Sequence, residues 1–227
     1  MISFKAPDLC QGADEDLLVG MGEIVFPGFV TRHQGENGLR LWVDGTAPYD
    51  ASRTKAVAQF QTLLGVLRAW RSGAGQLVEE ARGGLGQGGA TRDSDGRQWI
   101  TVGPAIVYTI VGGDDRRYAE EVSLAINKSQ DLRVALWLNG QTNRTAAELY
   151  MIYGCAHRDL GGQTGITAKL GISRNQQETF TRSANNLSPL EGGRHVEQHR
   201  QAPWTLVEQQ EFTDGMLRRW ISYLARN

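Results

Sequence analysis

From Asp114 to the C-terminus the chain is written as one helical segment after another, and this run limits its fold more than any other feature. The last segment is the best marked. Thr205 and Glu208 have capping-box spacing, in which the hydroxyl accepts from a free amide of the first turn and the carboxylate reaches back. Leu206, Phe212, Met216, Leu217, Trp220, Ile221 and Leu224 then recur as one apolar face. Arg218 and Arg219 fall in the last turns, where cations suit the negative end of the helix dipole. Upstream, similar signals predict helices over about 115–128, 130–139, 143–160, 164–171 and 174–185. Gly140 can end the second of these. Thr145 and Glu148 repeat the capping-box spacing at the start of the third, and Gly161-Gly162 closes it.

The first half reads differently. Residues 17–31 have the composition of strand material, with Pro27-Gly28 as a bend. Leu39 to Val43 alternates apolar and polar residues as a half-buried strand does, so a hairpin is the simplest expectation. A helix capped by Asp50 or Ser52 runs to about Trp70, with Ala56, Phe60, Leu63, Leu64, Leu67 and Trp70 on one side. Gly83 to Gly96 is a flexible loop by composition, and it lacks the Lys-Ser/Thr that ends a phosphate-binding loop. Residues 98–111 are β-rich, broken at Pro104. The expected class is therefore α+β: a small β-rich N-terminal domain with one helix over 1–113, then an all-α domain over 114–227.

A hydrophobic content of 40% and a charged content of 22% are those of a globular protein with a sizeable core. The net charge of −1 gives no overall basic field for nucleic acid, though a local patch is compatible with it. Two cysteines, Cys10 and Cys155, are too few and too far apart for a disulfide framework or a zinc site. The first residues lack the pattern of a secretory signal, and no apolar run reaches membrane-spanning length. The expectation is a cytoplasmic protein with no membrane segment.

Three constellations carry chemistry. The first is Arg194-His195-x-x-x-His199, in a Gly/Pro-marked stretch just before the last helix. A histidine near neutral pKa can take the proton of a ribose 2′-hydroxyl, and an arginine can neutralise a scissile phosphate. The bland alternative is a solvated polar turn. The second is a metal site using His195 and His199 with Asp159 or His157. The order His-Val-Glu-Gln-His is not His-Glu-x-x-His, and Gly192-Gly193 and Pro203 argue against a long helix there, so no metal is expected. The third is Ile166 to Gln177, which has the outline of a helix-turn-helix, with a Gly171 turn and a second helix capped by Ser173 and Gln176. Lys169, Arg174 and Arg182 are its candidate phosphate contacts. Two short packed helices would show the same string.

The Arg194/His199 spacing ahead of a terminal helix resembles the motif of HEPN domains, small helical ribonuclease-like modules; the glycine that often follows their histidine is absent. The resemblance covers about 143–225. It implies RNA binding or metal-independent RNA cleavage without a cofactor, a toxin-like or phage-defence setting, and a homodimer whose two motifs face each other. Arg194 and His199 would be catalytic, with His195 as the alternative histidine. The wider stretch from about Asp131 to Leu224 also resembles a group of uncharacterised bacterial proteins. The marks are Ala135-Leu-Trp-Leu-Asn-Gly140, Leu149-Tyr-Met-Ile-Tyr153, Ser183-Ala-Asn185 with Arg194-His195, and Met216-Leu-Arg-Arg-Trp-Ile221. That likeness implies a domain but no activity. The competing classes are a non-catalytic protein-interaction module and a DNA-binding module.

Overall fold

The computed structural model describes residues 2–5, 15–32, 39–43, 49–71, 90–92, 98–102, 106–110, 113–141, 144–187 and 202–227. Helices dominate them: α1 Glu15–Val25, α2 Tyr49–Arg71, α3 Gly113–Lys128, α4 Gln130–Asn139, α5 Ala146–Leu160, α6 Gly162–Leu170, α7 Arg174–Asn186 and α8 Leu206–Arg226. By contacts the chain forms two compact units. Unit 1 comprises Met1–Val57 and Gly75–Ser123; unit 2 comprises Ala58–Ala74 and Leu124–Asn227.

The expected α+β class with a small β-rich N-terminal domain is overturned, and the protein is all-α in character. Residues 17–25, read as strand, lie in α1. Leu17, Leu18, Met21 and Val25 are buried there while Glu23 is exposed, which is a helical and not an alternating pattern. With Ser52 and Ala56 of α2 and Tyr118, Ala119 and Val122 of α3, they supply most of the described core of unit 1. The strands are three to five residues long and make two three-stranded antiparallel ribbons. In the first, β3 (Leu39–Val43) lies between β1 (Ile2–Lys5) and β2 (Val30–Arg32). In the second, β5 (Gln98–Val102) lies between β4 (Ala90–Arg92) and β6 (Ile106–Ile110). Among residues whose surroundings are described, Val30 and Leu41 are the strand positions in the core.

Unit 2 is built around α5, which packs against α4, α6, α7 and α8. Its buried Leu149, Ile152, Tyr153, Ala156 and Leu160 meet a core that includes Phe180, Met216, Leu217 and Trp220. Three helices begin with complete capping boxes: Thr145/Glu148, Ser173/Gln176 and Thr205/Glu208. Each satisfies two otherwise orphaned amides, and losing such a cap typically costs about 1 kcal/mol. The two arginines read as dipole partners of α8 act on other helices. Arg218 donates to the Ala69 carbonyl at the end of α2, and Arg219 to the Leu170 and Gly171 carbonyls at the end of α6.

Where α2 crosses α4 within unit 2, glycines let the backbones touch. A Cβ on Gly65 would lie 1.8 Å from the Leu136 carbonyl oxygen, and one on Gly140 would lie 1.8 Å from that of Gln61. This close approach positions a buried polar network. Asn139, fully buried, donates from Nδ2 to Gly65 O and to Asp214 Oδ1, 3.0 Å each. Arg144 donates to Asn139 Oδ1 at 2.7 Å and to Asp214 Oδ1 at 2.6 Å. Arg68 donates to the carbonyls of Asn139 and Gln141. Burial, and after it the Arg144 charge, pushes the Arg68 guanidinium down from its usual range, while Asp214 opposes this. No side-chain nitrogen or oxygen of these four residues is buried without a partner, so the network sets the register of three helices rather than offering a site.

Candidate binding cleft

Arg194, His195 and His199 lie outside the described residues, in the connection between α7 and α8. Its two roots are described. Trp204 N donates to Ser183 Oγ at 2.9 Å, and Leu187 and Ala202 share an apolar cluster with Ala146, Ala184, Tyr150 and Leu206. The ends of the connection are therefore held together beside the N-terminal half of α5.

Next to these roots unit 2 has a cleft of about 380 Å³. Helix α5 contributes Tyr150, Tyr153, Gly154 and His157, which fall on one face by their spacing. Gln163 comes from α6, and Thr181 and Asn185 from α7. The ring centroids of Tyr150 and Tyr153 are 6.3 Å apart, and those of Tyr153 and His157 are 6.0 Å apart. Tyr153 is fixed in place: its hydroxyl donates to Gln177 Oε1 at 3.0 Å. Burial pushes its pKa up, against the Gln163 side chain, which holds the phenolate form better. Gln177, fully buried, donates in turn to Gln163 O, Thr167 Oγ1 and Ile172 O, so α5, α6 and α7 meet at one amide. Asn185 brings a polar atom that is not satisfied: its side-chain oxygen is buried without a hydrogen-bond partner.

Sequence reasoning missed this cleft. Tyr150 and Tyr153 entered that reasoning only as part of the Leu149–Tyr153 mark, and His157 only as a possible metal ligand. The available signal was three rings with polar edges at i, i+3 and i+7, interrupted by a mid-helix glycine.

The outline read as a helix-turn-helix is formed by α6, a turn at Gly171 (φ +66°) and α7 capped by Ser173. Its three cations are not equivalent. Arg174 pairs with Glu178 at 2.8 Å, and Lys169 sits over the Tyr223 ring at 5.7 Å. Arg182 is exposed, and no described carboxylate pairs with it. His157 lies in the cleft, and Asp159 accepts the Trp220 indole N–H at 2.8 Å. Among the described residues no three of His, Cys, Asp or Glu gather as metal ligands would. No described helix is long and apolar enough to cross a membrane.

Comparison with known proteins finds no matching family model, no matching curated protein and no matching solved structure.

Proposed function

We propose that unit 2 binds RNA and that the connection between α7 and α8 cleaves it without a metal, as a HEPN-like module would. The observation that carries binding is the division of charge. In unit 2, Lys and Arg outnumber Asp and Glu by 14 to 9; in unit 1 they are outnumbered, 10 to 16. A nearly neutral chain thus holds two opposite fields, and the basic one belongs to the unit with the cleft. Cleavage rests on Arg194 and His199. The histidine takes the 2′-hydroxyl proton, and the 2′-oxygen attacks the adjacent phosphorus. The 5′-oxygen leaves with a proton, and a 2′,3′-cyclic phosphate remains. Arg194 neutralises the charge that builds on the phosphoryl oxygens. His195 takes the role of His199 if the latter is dispensable. A homodimer and a cytoplasmic setting belong to the same proposal.

Of the other readings, DNA binding through Lys169, Arg174 and Arg182 is less favoured, because two of the three cations already have partners within unit 2. A non-catalytic interaction module draws support from Val134 and Trp137, neighbours on α4 that are 37% and 38% exposed.

The test is incubation of the full chain with single-stranded RNA, with and without EDTA. Cyclic-phosphate ends formed equally in both, and lost in Arg194→Ala and His199→Ala proteins of wild-type stability, are expected. RNA left intact at high protein concentration sinks the enzyme and leaves binding alone.

A further inference from the structure

We draw no further inference here: the strongest candidate, the N-terminus of α6 at Gly162, which has no side-chain cap and lies beside the His157 ring in the cleft, is a bare helix end at which no second feature among the described residues points to a ligand.

Discussion

The same substitution, glycine to alanine in the middle of a helix, should have opposite signs at Gly65 and at Gly154. At Gly65 the new Cβ would sit 1.8 Å from the Leu136 carbonyl oxygen. An ordinary non-bonded contact is roughly 3.5 Å, so the backbones must part by about 1.7 Å. Overpacking of this kind costs about 1–3 kcal/mol. Parting the helices also stretches Asn139 Nδ2 to Gly65 O and Arg68 to Asn139 O, now 3.0 and 2.8 Å. Each such bond contributes about 1 kcal/mol. Against this, alanine gains about 1 kcal/mol of helix propensity. The balance is a loss of about 2–4 kcal/mol, because the obstructing atom is backbone and cannot turn aside. At Gly154 the propensity gain stands alone, a stabilisation of up to about 1 kcal/mol. Urea unfolding followed by the helical circular-dichroism signal measures both. With a slope of about 2 kcal/mol/M, a swing near 4 kcal/mol separates the two midpoints by about 2 M. A Gly65→Ala protein as stable as Gly154→Ala would refute the backbone contact.

Asp214→Ala leaves Arg144 and Asn139 without their shared acceptor and should cost about 3–5 kcal/mol; pairing Asp214→Leu with Arg144→Met should cost less than the single change, and simple additivity in the double-mutant cycle would show that the pair is not coupled. The Thr205 amide and hydroxyl hold the Glu208 carboxyl below its ordinary 4.5. Stability from that cap is present above the unfolded value and is lost as the pH falls toward the folded one. Glu208→Gln keeps the box but cannot titrate, so thermal midpoints of the two proteins should converge as the pH falls below about 4.5, while curves parallel down to pH 3 would contradict the shift.

The C-terminal half was legible because its signals are local. Capping boxes lie within four residues, and the structure has all three where Thr145, Ser173 and Thr205 place them. Helix ends agree to within a few residues, as at Gly140 and Gly161. Helix α1 was not legible. Leu17, Leu18, Val19, Ile24 and Val25 favour strands or buried helices alike, and Gly20 and Gly22 weakened the helical alternative. Only burial at 17, 18, 21 and 25 decides it. The Arg144–Asp214 pair joins residues 70 positions apart, and no periodicity announces such a bond. The cleft was hidden for a related reason: a ring on a helix reads as core until the neighbouring helices are placed. The Arg194–His199 motif was legible as a spacing and lies outside the described residues.

The proposal for unit 2 is that its basic field binds single-stranded RNA. Fluorescence anisotropy of a labelled RNA oligonucleotide, titrated with the full chain at several salt concentrations, tests it most directly. Saturable binding at low salt is expected, with log affinity falling against log salt at a slope of about −2 if three phosphates are engaged. Arg182→Ala should weaken binding and flatten that slope, since Arg182 is the exposed cation that follows Thr181 of the cleft. No binding at low salt and high protein concentration, or binding indifferent to both salt and Arg182, would contradict it.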